Sequence, residues 1–149
     1  MANIRLTKQF NFEMAHALLG YDGPCKNIHG HSYELFVTVI GEPIASKDSP
    51  KKGMVIDFKD LKALVKGQII NEFDHALVIS HHTAQAHINE LKKNYEKVIV
   101  TPYQPTTENY LIDFVNRIRE KLPRGVKLHS LKIRETVTSY AEWFADDNE

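Results

Sequence analysis

The sequence predicts an α+β domain, an antiparallel sheet with helices packed on one face. Three observations carry that prediction. Apolar and polar residues alternate with period two over residues 3–16 and again over 31–41. Apolar residues recur at helical spacing from Phe58 to Phe73 and again from Leu111 to Leu122. Two more strand-like runs, 126–136 and 138–144, close the chain. The order strand, strand, helix, helix, strand, strand sorts into one sheet with two helices between its second and third strands. One face or edge of such a sheet then calls for another subunit to cover it.

In the first strand, Ile4, Leu6, Phe10, Phe12 and Met14 share one parity, and Arg5, Thr7, Gln9, Asn11 and Glu13 share the other. Turn formers follow in Gly20-Tyr21-Asp22-Gly23-Pro24. The second strand puts Tyr33, Leu35, Val37 and Val39 on one face, and residues 42–53 form a polar connection. The first helix carries Phe58, Leu61, Leu64, Val65, Ile69 and Phe73 on one stripe, with Asp57 placed to cap it. Residues 80–104 read as a surface insertion with room for a short helix near 83–93 and an apolar Val98-Ile99-Val100. Pro105-Thr106 opens the second helix, with Thr106 as cap and Leu111, Phe114, Val115, Ile118 and Leu122 as its stripe. Pro123-Arg124-Gly125 ends it.

Composition narrows the class. The 149 residues suit a single domain over 1–149 with the insertion around 80–104. Hydrophobic residues make up 42% and charged residues 26%, enough to build a core. Nineteen basic and nineteen acidic residues cancel, which disfavours a nucleic-acid partner. No apolar run is long enough to span a bilayer, and residues 1–5 lack a signal-peptide core. One cysteine rules out an internal disulfide, so a cytoplasmic protein is expected.

The chemistry lies in the histidines. His29 and His31 flank Gly30, so on an extended chain their side chains share a face, about 6–7 Å apart. His31 has the parity of Tyr33, Leu35 and Val37 and faces inward, while Gly30 leaves room for close backbone approach. His16 ends the first strand on the inward parity of Phe12 and Met14. If the two strands pair as a hairpin, all three imidazoles meet. An inward histidine is often only a hydrogen-bonded core residue, and among eight histidines one His-x-His pair arises easily by chance. The third histidine turns the pair into a ligand set. Three histidines with a fourth position open is the donor set of a catalytic zinc site, and no carboxylate completes a non-haem iron triad. His81, His82 and His87 have no strand to orient them and read as solvated surface residues.

Cys25 lies four residues before His29 among turn formers, which argues for a loop and against a core. Near a metal and beside Lys26, its thiol can serve as base, nucleophile or fourth ligand, and spacing leaves these open. Asp74-His75 follows the first helix, either as a carboxylate-oriented proton relay or as a helix-end pair. Glu135 shares parity with Ile133 and Val137, opposite to Arg134 and Lys132, so it points to the apolar side. A buried carboxylate there needs a partner, and adjacent N–H donors of a heterocycle fit it. Glu108 is explained equally well as a first-turn acid.

Together, Phe12-Glu13-Met14-Ala15-His16, Cys25 with His29-Gly30-His31, Val55-Ile56-Asp57-Phe58, Phe73-Asp74-His75, Pro105-Thr106-Thr107-Glu108-Asn109 and Arg134-Glu135-Thr136 resemble the 6-pyruvoyltetrahydropterin synthase family over nearly the whole chain. The resemblance implies the tunnelling fold, a four-stranded antiparallel sheet with two helices between strands two and three. It implies homo-oligomers, usually hexamers built as a dimer of trimers around a barrel, with active sites between subunits. It implies one zinc ion per subunit on His16, His29 and His31, Cys25 as the catalytic thiol, and Asp74 with His75 completing proton transfer. Glu135 would anchor the pterin, helped by Thr107 and Glu108. Both main activities of the family act on a pterin triphosphate, 7,8-dihydroneopterin triphosphate. The spacing of Cys25 to His29 looks like the 6-carboxytetrahydropterin synthase branch, which makes a queuosine precursor and releases acetaldehyde and triphosphate. The alternatives are the 6-pyruvoyl product of the tetrahydrobiopterin pathway, or a pterin- or metal-binding module without turnover.

Overall fold

The computed structural model describes residues 2–149. Its frame is the hairpin of β1 (Ile4–His16) and β2 (His29–Gly41), paired antiparallel from Ile4 opposite Gly41 to His16 opposite His29. β5 (Val126–Thr136) adds to β2, and β6 (Ser139–Phe144) adds to β5, both antiparallel. These four strands are the ones expected from the alternation.

The sheet is longer than expected on the other side. Among the described residues it has six strands, in the order β4-β3-β1-β2-β5-β6. β3 (Ala76–Ser80) runs parallel to the end of β1, and β4 (Val98–Thr101) runs parallel to β3. α3 (Gln85–Asn94) connects them. The segment read as a surface insertion is therefore a strand–helix–strand unit that extends the sheet. Four-residue strands are too short for period two to separate them from a buried turn, so Val98-Ile99-Val100 showed only as apolar.

α1 (Phe58–Val65) begins at the Asp57 cap, whose carboxylate accepts from the Lys59 amide at 2.9 Å. It continues through a π-helical segment, Lys66–Ile70, into the short α2 (Asn71–Phe73). α4 (Thr107–Ile118) starts at Thr106, whose hydroxyl accepts from the Asn109 amide at 3.3 Å. The main core lies between these helices and the sheet, joining Phe10, Phe12, Leu35 and Val37 to Leu61, Ile69, Phe114 and Ile118. A second cluster of Ile79, Ile88 and Leu91, with Leu77 and Val98 against it, seats α3 on the opposite face of the sheet. Helices therefore cover both faces at the β3–β4 end, where one face was expected. Among the described residues no helix is long and apolar enough to cross a membrane.

Phe114 is fully buried and meets Phe73 edge-on at 5.1 Å. Phe114→Ala should cost about 3–5 kcal/mol through lost burial and a residual cavity. A loss of less than about 1 kcal/mol in urea unfolding would place the main packing elsewhere.

Candidate active site

The hairpin register puts His16 directly opposite His29, with His31 one inward position along β2. The three rings pack together with centroids 4.6 Å, 5.3 Å and 5.0 Å apart. Their candidate ligand nitrogens all lie within 4.8 Å of one another, a set that can hold one metal ion.

Their hydrogen bonds select the free nitrogen. His16 is 2% exposed, and its Nδ1 lies 2.7 Å from the Pro105 carbonyl. His29 Nδ1 lies 2.7 Å from the Asn27 carbonyl. A carbonyl only accepts, so each Nδ1 carries the proton and each Nε2 is left with its lone pair. Holding the second ring nitrogen on a carbonyl is how proteins orient metal-binding imidazoles. His31 Nε2 lies 3.0 Å from Glu135 Oε1 but without hydrogen-bond geometry. All three Nε2 atoms are buried and have no hydrogen-bond partner. Buried polar atoms are rarely left so, and three converging on one point fit a cation.

Burial holds the His16 imidazole below its ordinary range. The Pro105 carbonyl opposes that, and the neighbouring His29 adds to it. His31 is also lowered, again chiefly by burial and against the pull of Glu135. Both effects favour the neutral rings that metal binding needs.

Glu135 sits at an irregularity of the β5–β6 ladder, between Arg134 and Thr136, where an extra residue re-aims a side chain. Its carboxylate accepts from the Thr107 hydroxyl and faces His31, and neither Arg134 nor Lys132 pairs with it. Arg134 turns to Glu34 at 3.5 Å. Thr107, Glu108 and Glu135 line one small cavity of about 140 Å³ with Tyr140. Glu108 itself is exposed, so its place as a first-turn acid also holds.

Asp74 and His75 occupy the turn from α2 into β3. Asp74 Oδ1 accepts from the Glu13 amide at 3.0 Å and lies 2.9 Å from His75 Nδ1. His75 has a φ of 64°, a left-handed conformation uncommon outside glycine, and its amide donates to the Glu13 carbonyl. His75 lines cavities with Ala15, one of which also takes in His31. The dyad is not part of the group whose ligand atoms converge within 4.8 Å, which is His16, His29 and His31. Cys25 is half-buried in a short turn, Pro24–Lys26, and stands outside the histidine group. The fourth-ligand option accordingly finds no geometry in a single chain. His81, His82 and His87 are exposed, as expected.

Sequence reading missed three features. The Pro105 and Asn27 carbonyls are backbone groups and carry no sequence signal. The Tyr33 hydroxyl is buried without a partner, and burial pushes it well above its ordinary range; parity marked Tyr33 only as core. The Gly30 expectation is corrected: a Cβ there would meet the Met14 carbonyl at 3.5 Å, an ordinary contact.

Comparison with known proteins follows the same lines. The profile of the 6-pyruvoyl tetrahydropterin synthase family matches residues 5–146. A relative from Haemophilus influenzae, named 6-carboxy-5,6,7,8-tetrahydropterin synthase, is 36% identical over 141 residues, spanning 93% of this chain and 97% of its own. An uncharacterized protein from Wolinella succinogenes superposes with a TM-score of 0.79 at 20% identity, covering 97% of this chain and 99% of the other. The 6-pyruvoyl tetrahydropterin synthase of Caenorhabditis elegans superposes at 0.68 and 24% identity, covering 97% of each chain. The two structures speak to the fold alone.

Proposed function

The chain belongs to the 6-pyruvoyl tetrahydropterin synthase family, and from that premise we propose that it is a zinc-dependent 6-carboxy-5,6,7,8-tetrahydropterin synthase. It would convert 7,8-dihydroneopterin triphosphate to 6-carboxy-5,6,7,8-tetrahydropterin, releasing acetaldehyde and triphosphate, as a carbon–carbon lyase supplying queuosine synthesis. The observation that carries this reading is the convergence of three imidazole nitrogens without hydrogen-bond partners beside a carboxylate that no lysine or arginine pairs with.

His16, His29 and His31 would hold the ion through Nε2. When bound, zinc supplies Lewis-acid polarisation of the substrate side-chain oxygens. The residues do the rest. Glu135 accepts two adjacent N–H groups of the pterin edge, and the Thr107 hydroxyl fixes the carboxylate's orientation. Glu108 stands at the rim of the same cavity. Asp74 holds the His75 Nδ1 proton, so His75 Nε2 is the face that takes or returns a proton. Cys25 supplies the thiol that shares this proton transfer.

The dyad stands outside the three-histidine group of its own chain, which suits a site completed by a neighbouring copy. That supports a homo-oligomer, with the hexameric barrel as the proposed form and the cytoplasm as the proposed compartment.

The test is a mass-spectrometric product assay on zinc-loaded protein with 7,8-dihydroneopterin triphosphate alone. Equal amounts of carboxylated tetrahydropterin and acetaldehyde are expected. A pyruvoyl product without acetaldehyde would move the protein to triphosphate elimination. Absence of both would leave a binding module.

A further inference from the structure

The segment from β4 to α4 meets the end of β1 as a strap, with the buried Pro105 at its centre. The Pro105 carbonyl accepts from His16 Nδ1 at 2.7 Å. The Tyr110 hydroxyl also comes near that nitrogen, but at 3.4 Å. The carbonyl is therefore the main outer partner that aims this imidazole. It can aim the ring only as firmly as its own backbone is held.

The strap is pinned on both sides of Pro105. The Thr106 amide donates to the Gln104 carbonyl at 2.7 Å, a three-residue turn with Pro105 in the middle. Proline fixes φ there and has no N–H of its own to place. The Asn109 side-chain amide donates to the same Gln104 carbonyl at 2.9 Å, and the Asn109 backbone amide donates to the Thr106 hydroxyl at 3.3 Å. One residue in the first turn of α4 thus grips the strap before and after the proline. The Gln104 side chain reaches across to the Leu19 carbonyl at 2.9 Å, just beyond His16. The helix itself has no need of the Asn109 side chain. Thr106 supplies the cap, and an acid would serve this first-turn position better than an asparagine.

We propose that Asn109 is a positioning residue for the metal site: through the Gln104 carbonyl it holds the Pro105 carbonyl on His16, which keeps His16 Nε2 aimed at the other two imidazoles. The inference rests on the zinc reading of the three histidines above. Asn109 touches none of the ligands and acts only through the strap. Its removal loosens the outer partner of His16 without deleting it. The cost in metal affinity is therefore set at the low end of the roughly 10–100-fold that loss of such a partner brings.

The test measures zinc affinity of the full-length protein by competition with a chromophoric chelator, alongside melting of the metal-free form. Asn109→Asp keeps the side-chain shape and sets a carboxylate against the Gln104 carbonyl, where two acceptors repel. Its zinc affinity should fall about tenfold. The added negative charge alone would favour a cation, so the loss cannot come from charge. Asn109→Ala removes the donor without a charge and should lose affinity to the same degree. Both variants keep the backbone bond to Thr106, and an acid in the first turn suits the helix. Metal-free Asn109→Asp should therefore melt within about 2 °C of wild type. Asn94→Asp, the same change at an exposed position of α3, should bind zinc as wild type does. Affinity within about twofold of wild type in both Asn109 variants, an equal loss in Asn94→Asp, or a loss matched by a large drop in melting temperature would overturn the assignment. His31→Ala separates this inference from the reading beneath it. Zinc lost in His31→Ala but kept in both Asn109 variants would sink the strap and leave the histidine site standing. Zinc unbound by wild type would sink the histidine site, and the strap's role with it.

Discussion

His31→Ala is expected to yield a folded protein that retains little or no zinc after dialysis and makes no detectable product. His16 and His29 are held by the Pro105 and Asn27 carbonyls and stay in place when His31 is removed. Two neutral nitrogens remain, one fewer than a catalytic zinc site uses. Loss of an outer partner alone typically costs 10–100-fold in metal affinity. Loss of a ligand should therefore exceed about 100-fold by the same scale. The backbone of β2 keeps its pairing with β1, so circular dichroism should match wild type. Atomic spectroscopy reads the metal directly and does not depend on knowing the substrate. A His87→Ala control removes an exposed histidine of α3 and should retain full metal. If His31→Ala kept its zinc, or His87→Ala lost it, the ligand assignment would fall.

The histidine set was legible because β-strand geometry is a strict rule. Parity placed His16 and His31 on the buried side with Tyr33 and Leu35, and the hairpin register then brought His16 against His29. Glu135 was legible for the same reason, although its aim depends on a ladder irregularity that parity does not encode. The β3–β4 extension was not legible. Its strands are short, and its parallel pairing depends on where α3 packs, which is a tertiary outcome. Asp74-His75 was visible as a pair, but the left-handed backbone of His75 was not.

Cys25→Ala should leave zinc and fold intact and lower turnover by about 10²–10⁴-fold, the usual contribution of a positioned acid or base. The fold is expected to survive because the turn around Cys25 is made by backbone groups. The Leu18 amide donates to the Cys25 carbonyl at 2.9 Å, and the Asn27 amide to the Pro24 carbonyl at 3.1 Å. Removing one half-buried sulfur touches neither bond. A purely structural thiol would show the opposite pattern, a lowered melting temperature with activity kept at low temperature. Full activity in Cys25→Ala would remove the thiol from the mechanism. The same variant also tests how the site is assembled. Mixing unfolded Cys25→Ala and His75→Ala chains in equal amounts and refolding them together gives random oligomers. If thiol and imidazole come from different copies, about a quarter of the sites should be intact. If both come from one chain, every site carries a defect and activity stays at background. Because the proposed site is completed by the Asp74–His75 dyad of a neighbouring copy, recovery is the expected outcome.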